Sequence, residues 1–300
     1  MNKDFIYINE VGPRDGLQNQ NQHVEVNDRV NLIQLLADAN IPGIEVASFA
    51  NPKVVPRMAG GAEILKNLKD LNKCDISVLV PNLKGYELAK EAGASSIAVV
   101  PSSTDTFNKK NINMSLEETI KSACSILSSA KEDNIRTRAY VSAAWECPYE
   151  GKIKPNVILS IAEKMLNAGA QELILADTIG AANPKDVENL FTLAIKNFKN
   201  IEISAHFHDT RAMALTNVWA ALNCGIKKFD SSIGGLGGCP FAPGASGNLA
   251  TEDLVHMLHQ SGFETGIDTQ LLNKAIKLTS ILVNSDIGGR MTPWLSQQTK

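Results

Sequence analysis

This sequence offers no material for a disulfide framework. Its five cysteines, Cys74, Cys124, Cys147, Cys224 and Cys239, are scattered, odd in number and without a CxxC pair. That pattern argues against a structural zinc site and suits a reducing compartment. A charge of one sign is missing too: 29 Lys and Arg stand against 32 Asp and Glu, leaving a net −3. There is thus no general pull toward nucleic acid or an anionic membrane, and an anionic ligand must be held by a local group of positive charges. No apolar run is long enough to span a bilayer, and the opening MNKDFIYINEVGPRDG lacks a signal-peptide pattern. The expectation is a cytoplasmic protein with neither membrane nor nucleic-acid partners. Linkers rich in Pro, Ser or charge are also lacking, which favours one domain over two in 300 residues. What the chain does have is a 44% hydrophobic content, enough for a sizeable core.

Short runs rich in β-branched residues alternate with amphipathic stretches from end to end. The spacing predicts strands at 5–10, 43–48, 75–80, 96–100, 137–142, 172–176, 201–206 and 227–233. Helices are expected near 28–40, 57–70, 84–92, 116–133, 156–168, 185–197, 211–224 and 251–260. Ser115 with Glu118 reads as a capping box, and Asn183–Pro184 as an N-cap with first-turn proline. Gly93, Gly169 and Gly225 read as left-handed helix ends. Eight strand–helix units in strict alternation give the α/β class, and eight is the number that closes a (β/α)8 TIM barrel. A doubly wound sheet is the alternative. The barrel is expected over 1–265, followed by an additional C-terminal helical segment within 266–300. Its helix is placed at 268–284, and the tail after Gly288–Gly289 is expected to be poorly ordered.

Barrel chemistry sits at the C-terminal ends of the strands, and the unusual polar residues fall there. Arg14 and Asp15 follow strand one in GPRDGLQ; Glu45 lies in strand two. Tyr140 and Ser142 end strand five, Asp177 and Thr178 follow strand six, His206 and His208 end strand seven, and GGLGGCP follows strand eight. Side chains alternate across a strand, so the two imidazoles of His206-Phe207-His208 share one face and can chelate one metal. A hydrogen-bonded core pair is the plain alternative. Asp15 would add a hard oxygen and Asn248, in GASGN, an amide oxygen, a set that suits Mg2+ or Mn2+. The plain readings of these two are turn and helix-cap chemistry. Arg14 beside a cation calls for an arriving anion, such as an enolate or carboxylate oxygen. Cys239 lies in a loop carrying four glycines, where a thiol can meet a ligand as the loop closes.

The same residues carry a resemblance. EVGPRDGLQNQ, SFANPKVVPRM, PNLKGYE, NKKNIN, CPYEGKI, ADTIG, HFHDT and GGLGGCPFAPGASGNLATEDL run collinearly from residue 10 to residue 254. Each resembles a motif of the 3-hydroxy-3-methylglutaryl-CoA lyases. The resemblance implies cleavage of that acyl-CoA to acetoacetate and acetyl-CoA, with a divalent metal, Mg2+ or Mn2+, on Asp15, His206, His208 and Asn248. It implies catalytic roles for Arg14 (on the enolate) and Cys239, with Asp15 or a metal-bound histidine such as His208 as base. Gln18, Glu45, Tyr140, Asp177, Thr178 and Glu252 match residues supporting the substrate or these groups. A homo-oligomer such as a dimer is compatible with it. The alternatives are a condensing acyl-CoA synthase resembling the isopropylmalate and homocitrate synthases, and a catalytically silent metal- or CoA-binding module. Those synthases generally have RDGEQ where this chain has RDGLQ. Other departures from the lyase pattern are Gln20, Trp145-Glu146 and Arg211-Ala212, none of which removes a group the chemistry needs.

Overall fold

The computed structural model describes residues 4–68, 71, 74–238 and 247–298. Eight parallel strands close into a barrel: β1 (Tyr7–Glu10), β2 (Gly43–Ser48), β3 (Asp75–Leu79), β4 (Ser96–Val99), β5 (Arg136–Val141), β8 (Glu172–Asp177), β9 (Glu202–Phe207) and β10 (Lys228–Ser231). A short antiparallel hairpin, β6 (Glu146–Cys147) and β7 (Gly151–Lys152), interrupts the alternation after β5. The doubly wound alternative is excluded because β1 pairs with both β2 and β10.

The helices that cover the barrel differ in how they begin, some of them at a side chain that takes up a free backbone amide. They are α1 (Val26–Asp38), α2 (Gly61–Asn67), α3 (Leu83–Glu91), α4 (Asp105–Ile112), α5 (Leu116–Glu132), α6 (Pro155–Asn167), α7 (Pro184–Asn197), α8 (Ala214–Asn223) and α9 (Thr251–Gln260). Ser115 Oγ accepts from the Glu118 amide at 3.2 Å while Glu118 Oε2 accepts from the Ser115 amide at 2.8 Å, the reciprocal box expected at the start of α5. Asn183 Oδ1 accepts from the Asp186 amide at 3.1 Å and starts α7. Gly93, Gly169 and Gly225 take positive φ after α3, α6 and α8, as their placement requires.

Two elements differ from expectation. Helix α4 falls between the expected strand at 96–100 and the expected helix near 116–133, where no element is predicted; it buries only Phe107 and Asn108 and so has no apolar stripe to announce it. The tail expected to be poorly ordered instead forms α11 (Met291–Gln298) after α10 (Thr269–Val283). Asp253 holds its start by accepting from the amides of Arg290 at 2.8 Å and Met291 at 2.7 Å. Helix α10 lies against α1, with the Asp268 amide donating to Ala39 O at 2.8 Å.

The apolar core is the shell between strands and helices, holding Leu32, Leu36, Ile44, Val78, Leu173, Phe207 and Phe229, all buried. The barrel interior is largely polar. Arg138 donates to Glu172 Oε2 at 3.0 Å, Lys228 to the same oxygen at 2.7 Å, and Arg138 also reaches Asp230 at 3.2 Å. Buried charges persist where each finds an opposite charge and hydrogen bonds. This paired floor lies beneath the strand ends that carry the site.

Candidate active site

The turn after β1 is set by one buried carboxylate. Glu10 Oε1 accepts from the amides of Gly12 at 2.7 Å and Ile233 at 2.8 Å, and Oε2 accepts from Thr251 Oγ1 at 2.6 Å. It thereby ties together the Gly12–Gly16 π-helical turn, the segment after β10 and the start of α9. Burial pushes the Glu10 carboxyl from 4.5 up to about 7, against the pull of those three donors. A raised folded value favours the protonated, folded state, so the contribution is full below the unfolded value and is lost as pH rises through about 7. The shift corresponds to at most on the order of 3 kcal/mol. Glu10→Gln keeps the shape without the charge and should therefore lose less stability than the wild type between about pH 5 and about pH 8. Denaturant midpoints measured at the two pH values check this; parallel pH profiles for both proteins would contradict it.

The turn presents Arg14 and Asp15 to the barrel axis. Arg14 Nε donates to Glu45 Oε2, and Nη1 donates to Asp15 Oδ1 at 2.8 Å. Asp15 Oδ2 accepts from Asn248 Nδ2 at 2.8 Å, and a β-bridge sets Asn248 beside His208. The imidazoles of His206 and His208 stand 5.2 Å apart between ring centroids. One ligand atom from each of Asp15, His206 and His208 falls within 4.8 Å of the other two, a group able to hold a metal ion. Two donor atoms at this point, His208 Nδ1 and Asn248 Oδ1, are buried without a hydrogen-bond partner. Groups of this kind ordinarily find one, so these orphans fit a cation well.

The charges agree with that fit. Burial opposes ionisation of Asp15, but Arg14 and, after it, His206 hold its carboxyl below the usual range. Burial and the neighbouring His206 lower His208 to about 4, which keeps its ring neutral and its lone pair free. Burial raises Glu45, with Arg14 opposing.

A cavity of about 400 Å3 opens over this group. Arg14, Asp15, Gln18, Tyr140, Ser142, Thr178, His206 and His208 all line it, and an apolar arm continues past Val55, Phe107, Met114 and Ile126. Glu45 acts from behind Arg14. Asp177 and Glu252, by contrast, lie outside the cavity lining. Asp177 accepts from the amides of Ala181 at 2.8 Å and Ala182 at 3.0 Å, and burial raises it to about 6. Glu252 accepts from Gly234 at 3.1 Å and Gly289 at 2.6 Å. Cys239 lies outside the described residues. Gly238, immediately before it, lines the cavity and accepts from Asn19 Nδ2 at 2.6 Å.

The sequence reading missed Asp230. It is buried on β10 and contacts His206, Tyr140, Arg138 and Asn9. A signal existed: in Lys228-Phe229-Asp230 the alternation turns both charges inward while Phe229 packs outward. Two of the departures from the lyase pattern face each other, Arg211 Nη2 lying 3.8 Å from Glu146 Oε1. At that distance and exposure the pair adds little stability.

A parallel eight-stranded barrel that gathers a carboxylate and two imidazoles at its C-terminal strand ends defines a TIM-barrel protein with a group able to hold a cation. The HMGL-like family model matches residues 5–279, and the chain belongs to that family. It is 41% identical over 283 residues to the hydroxymethylglutaryl-CoA lyase of Pseudomonas mevalonii, covering 94% of this chain and 93% of that one. The crystal structure of hydroxymethylglutaryl-CoA lyase from Pseudomonas aeruginosa matches with a TM-score of 0.94 at 36% identity, covering 99% of this chain and 100% of the other. An HMG-CoA lyase from Acinetobacter baumannii, in complex with coenzyme A and 3-methylmalate, matches with a TM-score of 0.93 at 34% identity, covering 98% and 96%.

Proposed function

We propose that this chain is a metal-dependent carbon–carbon lyase that cleaves 3-hydroxy-3-methylglutaryl-CoA to acetoacetate and acetyl-CoA. The observation that carries this reading is the convergence of Asp15, His206 and His208 beside Arg14 in one cavity, in a chain of this family. Asp15, His206, His208 and Asn248 would hold a divalent cation, Mg2+ or Mn2+, which when bound supplies Lewis-acid polarisation of the 3-hydroxyl and a carboxylate oxygen. Asp15 or His208 takes the hydroxyl proton; both line the cavity and are held in their proton-accepting forms. As the C3–O bond becomes a carbonyl, the C2–C3 bond breaks and its electron pair passes to the thioester enolate. Arg14, fixed by Glu45 and Asp15, stabilises that oxygen. Cys239 donates a proton to C2, giving acetyl-CoA. The relative crystallised with coenzyme A supports an acyl-CoA substrate, and the apolar arm of the cavity is consistent with one.

The four described cysteines are unpaired, which supports the reading of a reducing, cytoplasmic compartment. No helix among the described residues is long and apolar enough to cross a membrane. A homodimer is part of the proposal that only a solution mass measurement tests.

The test of the activity is acetoacetate release from 3-hydroxy-3-methylglutaryl-CoA by exhaustively chelated protein, before and after adding Mg2+ or Mn2+. Turnover is expected only with metal. Full activity in the chelated protein overturns the metal assignment. Consumption of acetyl-CoA with a 2-oxo acid, without cleavage, makes the chain a condensing synthase instead.

A further inference from the structure

We propose that Asp230 is a positioning residue that fixes the tautomer and the ring plane of His206. This rests on the reading of Asp15, His206 and His208 as the cation site. Register places Asp230 directly beside His206 on β9 and beside Asn9 on β1. Its Oδ2 meets His206 Nδ1 at 3.1 Å and accepts from Tyr140 Oη at 2.6 Å. Its Oδ1 accepts from Asn9 Nδ2 at 2.9 Å and from Arg138 Nη2 at 3.2 Å. Three donors and the His206 ring, from three strands, thus converge on one carboxylate that is 1% exposed.

The chemistry of that convergence assigns the proton. Tyr140 donates to one oxygen of Asp230 while Asn9 and Arg138 donate to the other, so a proton on either oxygen would have to compete with a donor already aimed at it, and the carboxylate is read as ionised. An ionised carboxylate has no hydrogen to give, so Nδ1 of His206 must be the donor. In the neutral ring the lone pair then resides on Nε2, the nitrogen left for a cation. Tyr140 adds a second constraint. It shares Oδ2 with His206 and presents its ring edge-on, at 6.1 Å between centroids and 78° between planes. The imidazole is held at one nitrogen and braced along its side.

A purely structural role for Asp230 is the competing account. Arg138 does not depend on Asp230, because Glu172 already takes its Nε at 3.0 Å and its Nη2 at 3.2 Å. What Asp230 alone supplies is an anionic acceptor at Nδ1. Removing an acceptor behind a ligating histidine typically weakens metal affinity roughly 10–100-fold.

The experiment compares Mn2+ binding by wild type, Asp230→Asn and Asn9→Ala, using electron paramagnetic resonance without substrate. Asp230→Asn should raise the Mn2+ dissociation constant about 10–100-fold. Asn9→Ala removes a bond to the same carboxylate and should lower thermal stability with unchanged Mn2+ affinity. Equal affinities for wild type and Asp230→Asn would show that Asp230 serves the fold alone. A wild type that binds no Mn2+ overturns the metal reading itself, a distinguishable result. Nitrogen NMR of the wild type with Mg2+ bound gives an arm independent of any variant's folding: His206 should carry its hydrogen on Nδ1, and a bare Nδ1 overturns the assignment.

Discussion

Cys239→Ala is expected to turn over about 10²–10⁴-fold more slowly than the wild type, the usual range for losing a general acid or base. The reason is the second half of the reaction. Breaking the C2–C3 bond leaves an enolate that must be protonated at carbon before acetyl-CoA can leave. Arg14 has no dissociable proton at working pH, and Asp15 and His208 are occupied with the 3-hydroxyl. The proposal gives that proton to the thiol of Cys239, which this variant removes. Cys239 is outside the described residues, but Gly238 and Gly247 border that segment, and Gly238 lines the cavity. Cys239→Ser keeps size and hydrogen bonding but offers a far less acidic proton, so it should fall with Cys239→Ala. Mn2+ affinity should stay at the wild-type level in both variants, because sulfur is not among the proposed ligands. Alkylation of the thiol should inactivate as well. Steady-state kcat and Mn2+ titrations on the two variants check this. Wild-type turnover by Cys239→Ala would send the search for the proton donor elsewhere.

The barrel was legible because its signals are local. Strand β9 alternates with a period of two, so His206 and His208 had to share a face whatever the rest of the chain did. The Ser115–Glu118 box and the Asn183 cap are likewise complete within four residues. Asp230 was illegible for the opposite reason. Its partners lie 221, 92, 90 and 24 positions away, and only barrel closure brings them to one carboxylate. The partners of Asp177 and Glu252 were likewise not legible from their motifs: Asp177 accepts from the amides of Ala181 and Ala182, and Glu252 from those of Gly234 and Gly289 and from Thr292 Oγ1. Helix α11 was not legible for the same reason, since its anchors Glu252 and Asp253 lie on α9, 37 and 38 positions from the amides they hold.

Arg14→Met should lower kcat by roughly 10²–10³-fold, the loss expected when one oxyanion donor is removed. KM should change much less if the contact forms mainly with the enolate rather than the bound substrate. The geometry supplies a way to separate this from damage to the site. Arg14 holds two carboxylates, Glu45 and Asp15, and methionine leaves both without that partner. Breaking a buried pair by removing one member commonly costs about 3–5 kcal/mol. Glu45 can relieve part of that cost by taking a proton, because burial already raises its carboxyl. Adding Glu45→Gln to Arg14→Met should therefore recover thermal stability without recovering kcat. Asp15 responds the other way. Losing a positive group 2.8 Å from its carboxylate removes a repulsion felt by any bound cation, so Mn2+ affinity in Arg14→Met should be no weaker than in the wild type. A variant that binds Mn2+ well, melts normally with Glu45→Gln present and still turns over slowly identifies Arg14 as the group acting on the enolate. A large rise in KM at unchanged kcat would make Arg14 a ground-state anchor, and a fall in kcat that tracks lost Mn2+ binding would make it a support for Asp15.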